Sequence, residues 1–185
     1  MTLLADIFDH NKSFVEDKKY EELQTNKYPS KKIVILTCMD TRLVELLPKA
    51  MNFKNGDVKL IKNAGATISH PFGSVMRSLL VAIFELKAEE VCVVGHYDCG
   101  MINFSSSSML KKALDRGIKE ETITTLLNAD IDLNKWLEGF NCVEDSVKNS
   151  VQMIKKHPLF PNNIPVHGMV IDPETGKLSE VINGY

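Results

Sequence analysis

Five residues carry groups that could act together. Cys38, Asp40 and Arg42 lie in the run Cys38-Met39-Asp40-Thr41-Arg42, and His96 and Cys99 lie in His96-Tyr97-Asp98-Cys99. Two thiols and an imidazole form a ligand set that suits zinc. His96 and Cys99 are three apart, close enough on a turn to grip one ion, and Cys38 must reach them from another element. Three protein ligands leave a fourth position for water, which is the catalytic arrangement, whereas a structural site is normally closed by four. Two thiolates formally cancel the charge of a zinc ion, so its water is acidified less than by three neutral histidines. A nearby acceptor would help to hold it. Asp40 is placed for that, with Arg42 keeping it ionised and oriented through a bidentate pair. Cys38, Asp40 and Arg42 recur at every second position, so an extended backbone would point all three the same way.

Other residues of these types read differently. Cys92, in the middle of an apolar run, and Cys142, at a helix start, read as buried small hydrophobes. No Cys-x-x-Cys is present, which weighs against a thiol redox centre. His10 reads as surface, His157 as structural and His167 as a satisfied core histidine. His70, beside Pro71, could reach a site mouth as a proton carrier. Asp98 reads as a cap for the following helix, without chemistry of its own. Gly65 and Gly73 permit a close backbone approach to a ligand, or simply turns.

The elements that must position these groups follow from apolar periodicity. Ile33 to Thr37 is short, β-branched and uncharged, a strand buried on both faces with Cys38 where it stops. Leu43 to Met51 predicts a short helix, bent or begun near Pro48. Asp57 to Lys62 predicts a second strand, and Gly73 to Lys87 a strong helix. Glu90 to Gly95 predicts a third strand, ending at His96. From Ile102 to Lys156 the pattern is helical in pieces broken near Gly117, Asn128 and Gly139. Ile164 to Ile171 and Leu178 to Ile182, joined by Pro173-Glu174-Thr175-Gly176, predict a hairpin. Thr2 to about Tyr28 predicts a helix without an obvious partner, which could pack on its own domain or on a second subunit. Strands alternating with helices predict an α/β fold with a mainly parallel central sheet, an antiparallel edge strand and helices on both faces. In such sheets, sites form outside the carboxyl ends of strands where strand order reverses. Cys38 and His96 both sit at such ends.

The chain has 185 residues, enough for one domain with a sizeable core, with 44% hydrophobic and 25% charged residues. A formal net charge of −2 gives no reason to expect nucleic acid or an anionic membrane surface as partner. No apolar run approaches the roughly 20 residues that span a bilayer. Asp6 and Asp9 follow Met1 where a secretory signal would be basic and then apolar. Four cysteines in such a chain point to metal or catalytic use in the cytoplasm rather than to disulfides.

Cys-Met-Asp-Thr-Arg-Leu (38–43), Lys-Asn-Ala-Gly-Ala (62–66) and Val-Val-Gly-His-Tyr-Asp-Cys-Gly-Met (93–101) resemble the β-class carbonic anhydrases. His-Pro-Leu-Phe-Pro (157–161), Ile-Pro-Val-His-Gly-Met-Val-Ile-Asp (164–172) and Pro-Glu-Thr-Gly-Lys-Leu (173–178) resemble its small prokaryotic branch. The resemblance covers nearly the whole chain. It implies reversible hydration of carbon dioxide, with one zinc ion per subunit held by Cys38, His96 and Cys99, and Asp40 and Arg42 as a catalytic dyad. In a closed state that some members show, Asp40 would become the fourth ligand. It implies one domain over residues 1–185 in a homodimer, with residues 1–28 forming a helical arm on the partner subunit, and leaves open whether two dimers form a tetramer. Thr41 stands where the family usually has serine, and Lys62 where arginine is common. Ile35 and Thr37 stand where bicarbonate-regulated members carry tryptophan and glycine. Hydrolases of carbonyl sulfide and carbon disulfide share the same ligands and form the alternative enzymatic reading. A zinc-binding protein without catalysis, its site closed by Asp40, is the alternative of another class.

Overall fold

The computed structural model describes residues 2–185. Its elements in chain order are α1 (Leu3–Glu16), β1 (Ile33–Cys38), α2 (Leu43–Ala50), β2 (Val58–Asn63), α3 (Ser74–Phe84), β3 (Glu90–His96), α4 (Ser106–Asp115), α5 (Glu120–Asn128), α6 (Leu133–Leu137), α7 (Val143–Lys155), β4 (Val166–Ile171) and β5 (Leu178–Ile182). One sheet holds all five strands in the order β2-β1-β3-β4-β5. The first three pairings are parallel, and β4 with β5 is the antiparallel hairpin. The α/β expectation is met, including its antiparallel edge.

The two faces of β1 feed two cores. Val34 and Leu36 pack with Val91, Val93, Val166 and Val170 under α3 and α7. Ile35 packs on the other side with Cys92, Val94 and Ile171 under Leu43 and Leu47 of α2. β1 pairs with β2 on one side and with β3 on the other, so strand order reverses beside it. Cys38 ends β1 and His96 ends β3, on neighbouring strands at that reversal. Burial on both faces is what holds these two strand ends still.

Two sequence expectations need correction. The N-terminal helix stops at Glu16, not near Tyr28. Asp17 caps it, Lys18 takes φ +55°, and a three-residue 3₁₀ turn at Glu21–Leu23 follows. Val15 is the last residue of the apolar stripe, and the Asp17-Lys18-Lys19 run offers no apolar group to continue it. α2 starts at Leu43 as expected, with Pro48 inside it rather than at its start. Strand β4 starts at Val166, because Pro165 has no N–H for the ladder. Among the described residues, no helix is long and apolar enough to cross a membrane.

Candidate metal centre

Cys38, His96 and Cys99 converge as expected. Each is buried, and one potential ligand atom from each lies within 4.8 Å of the others. The two sulfurs are 3.9 Å apart. Two sulfurs bound at 2.3 Å to one tetrahedral ion would be about 3.8 Å apart, so the pair is already spaced for a shared metal. His96 Nδ1 lies 2.8 Å from the Tyr97 carbonyl oxygen. That oxygen only accepts, so Nδ1 carries the hydrogen and Nε2 presents its lone pair. Nε2 is buried with no hydrogen-bond partner. An unpartnered buried nitrogen beside two thiols fits a metal-ligand set.

The site is electrostatically prepared for a cation. Cys38 is lowered to about 4, first because Cys99 donates to it, with His96 and the Gly65 N–H adding to this against burial. Cys99 is raised for the converse reason, as the thiol that shares its proton with Cys38. Burial alone would lower His96, but its contact with Cys38 and its bond to the Tyr97 carbonyl lift it above the ordinary value. Cation binding must therefore displace the shared proton.

Asp40 and Arg42 pair as expected but for a different reason. The chain turns after Cys38 rather than staying extended. The Arg42 N–H donates to Asp40 Oδ1 at 2.8 Å and the Leu43 N–H to the Asp40 carbonyl at 3.2 Å. This Asx turn brings the two side chains together. Arg42 Nε donates to Oδ1 at 3.0 Å and Nη2 to Oδ2 at 2.9 Å, a bidentate fork. The fork holds the Asp40 carboxyl down at about 2. Asp40 Oδ2 is 3.8 Å from His96 Nε2, so the carboxylate stands at the edge of the donor set.

Gly65 closes the site from the β2 side. Its N–H donates to Cys38 Sγ at 3.4 Å. Its φ is +79°, and a Cβ there would lie 2.9 Å from Phe140 Cε1 and 3.1 Å from Met101 Cγ. Gly65→Ala is expected to cost about 1–3 kcal/mol of stability through strain and overpacking. Thermal melts with and without zinc would show a lower midpoint and a smaller gain from the metal.

Asp98, read as a helix cap without chemistry, instead accepts from Arg42 Nη1 at 2.8 Å. The spacing from Arg42 is 56 residues, so sequence pattern held no signal for this pair. Cys92 is fully buried, and burial pushes its thiol up to about 12. Cys142 donates to Glu144 Oε2 at 3.1 Å. His167 is buried as expected and accepts from the Gly184 N–H at 3.1 Å, but its Nε2 has no hydrogen-bond partner, so the ring is only half satisfied. His157 is buried and accepts from the Leu159 N–H at 3.2 Å. His70 accepts from the Phe72 N–H and lines a different cavity, with Ser69 and Trp136.

The carbonic anhydrase family model matches residues 33–178. YvdA of Bacillus subtilis, whose name carries a provisional carbonic anhydrase assignment, is 62% identical over 185 residues, covering 100% of this chain and 94% of its own. The crystal structure of β-carbonic anhydrase isoform I from Trichomonas vaginalis matches with a TM-score of 0.91 at 41% identity, covering 100% of both chains. A carbon disulfide hydrolase of Saccharolobus solfataricus is 29% identical over 160 residues, 80% of this chain and 76% of its own.

Proposed function

The chain belongs to the β-carbonic anhydrase family, and from that premise we propose that it is a zinc-dependent lyase that interconverts carbon dioxide and water with bicarbonate and a proton. The observation that carries this reading is the convergence of Cys38, His96 and Cys99, three buried donors whose sulfurs are already 3.9 Å apart. These residues fit zinc in number, softness and spacing, and they leave one position open. Zinc, when held there, supplies a water of lowered pKa and so a nucleophile near neutral pH.

The chain's own residues do the rest. Cys38, Cys99 and His96 Nε2 hold the ion, and the Tyr97 carbonyl fixes the His96 tautomer. Asp40, ionised under the Arg42 fork, accepts a hydrogen bond from the attacking water and so aims its lone pair at the carbon. Arg42 keeps both Asp40 oxygens occupied, which supports an open fourth position rather than a permanently closed one. Of the site's residues we assign catalysis to Asp40 and Arg42, and metal binding to Cys38, His96 and Cys99, with Asp40 as an alternate ligand when Arg42 lets go.

We further place the chain in the cytoplasm as one domain that works as a homodimer. All four cysteines are free, which suits a reducing compartment. No residue of α1 is fully buried on its own protomer, and Leu3, Leu4, Ile7 and Phe8 are each more than half exposed. Phe72, Val81, Phe84 and Leu159 line an exposed apolar groove along α3. Two such faces on one chain support an arm exchanged with a second copy. Replacing Ile7 and Phe8 together with Asp is expected to give a folded monomer of 20.8 kDa by sedimentation, because α1 contributes nothing to the protomer's core. A monomeric wild-type protein would overturn the arrangement.

Stopped-flow carbon dioxide hydration by the zinc-loaded protein, at neutral and at mildly alkaline pH, tests the activity. Fast hydration at both is expected. Negligible hydration with zinc confirmed, together with hydrolysis of carbon disulfide, would move the chain to the reading named by its Saccharolobus relative.

A further inference from the structure

The fork that holds Asp40 is itself held. Arg42 Nη1 donates to Asp98 Oδ2 at 2.8 Å, and Nη2 donates to the Asp98 backbone carbonyl at 2.9 Å. Asp98 lies in the turn between His96 and Cys99, and its φ is +52°, a conformation uncommon for a residue with a Cβ and best tolerated by Asn and Asp. In that conformation one residue offers a carboxylate oxygen and a carbonyl oxygen to the same guanidinium. Arg42 therefore spans the turn after β1 and the turn after β3, with Asp40 on one side and Asp98 on the other.

Resting on the reading of the metal centre given above, we propose that Asp98 is a positioning residue: it anchors Arg42 so that the fork stays on Asp40 and Asp40 stays out of the Cys38–His96–Cys99 donor set. Asp40 Oδ2 is only 3.8 Å from His96 Nε2, so a small swing of the carboxylate carries it among the donors. A guanidinium anchored on Asp40 alone can follow that swing. One anchored as well on a second turn cannot, because following Asp40 breaks both bonds to Asp98. The Asp98 side chain is 84% exposed, so its ion pair contributes little to folding. Its work is geometric, and its loss should show at the metal centre rather than in the melting temperature.

Asp98→Gly tests this, since glycine keeps the positive φ and removes only the carboxylate. The variant is expected to bind one metal ion per chain, with a thermal midpoint within about 2 °C of wild type. With cobalt(II) as the probe in place of zinc, its visible absorption at neutral pH should shift from the wild-type spectrum as a carboxylate enters the coordination sphere. The kcat of the zinc form should fall at least tenfold. Asp98→Asn, which keeps an acceptor for Nη1, should recover most of both. In an Asp40→Ala background, adding Asp98→Gly should leave the cobalt spectrum unchanged, because no carboxylate remains to move. An unchanged spectrum in Asp98→Gly overturns the inference, and so does a shift that persists without Asp40. Should the glycine variant fail to fold, Asp98→Ser carries the same expectations. If the wild type hydrates no carbon dioxide, the proposed activity fails, while the cobalt spectra still decide the role of Asp98.

Discussion

Cys38→Ser is expected to abolish metal binding and turnover together. Cys38 is the donor that β1 brings to the site, 5% exposed, with Cys99 3.9 Å away and the Gly65 N–H at 3.4 Å. Serine keeps the shape but not the ligand. Its hydroxyl stays protonated at neutral pH and is a hard donor, poorly matched to a soft site. Two remaining donors, His96 and Cys99, cannot close a stable zinc centre. Metal analysis of the purified variant should find far less than one zinc ion per chain, and stopped-flow hydration should fall to the uncatalysed rate. The metal-free fold should survive, since β1 remains buried on both faces through Val34, Ile35 and Leu36. A variant that retains full zinc would show that Cys38 is not a ligand.

Asp40→Asn is expected to separate metal from turnover. Zinc content should stay near one per chain, because the three donors are untouched. The kcat should fall by about 10²–10⁴, the usual worth of a positioned proton acceptor. Asparagine keeps one carbonyl oxygen for the Arg42 fork but brings an NH₂ where the second oxygen was, and that group cannot accept. The pH profile adds a second reading. A carboxylate whose folded value is depressed stays charged until the pH falls through that value. Asp40, held at about 2 by Arg42, is therefore ionised throughout the working range. Any acid limb of the wild-type rate between pH 5 and 7 must therefore belong to another group. Full activity in Asp40→Asn would remove Asp40 from the mechanism.

The residues of the candidate metal centre were legible because their chemistry is local and rare. A thiol at the end of a β-branched run and a His-x-x-Cys at the end of another leave few alternatives once both runs are strands of a parallel sheet. Strand parity was less reliable. It placed Cys38, Asp40 and Arg42 on one side of an extended segment, whereas an Asx turn at Asp40 ends the strand and pairs the same side chains by a different path. The N-terminal helix was overextended because charged residues are compatible with a helix, and nothing local to Asp17 or Lys18 announces the left-handed turn.

Sequence alone determined the α/β class, the parallel order implied by short strands separated by helices, and the donor types that can bind a metal. These depend on periodicity and on side-chain chemistry, which are properties of short windows. Only the tertiary structure decided that Cys38 and His96 end on neighbouring strands at a reversal of strand order. It alone brought Asp98 to Arg42 across 56 residues and left the apolar face of α1 bare on its own protomer. Those outcomes depend on which strands pair and how the chain crosses over. That choice is made by the burial of the whole sheet, so no single segment carries it.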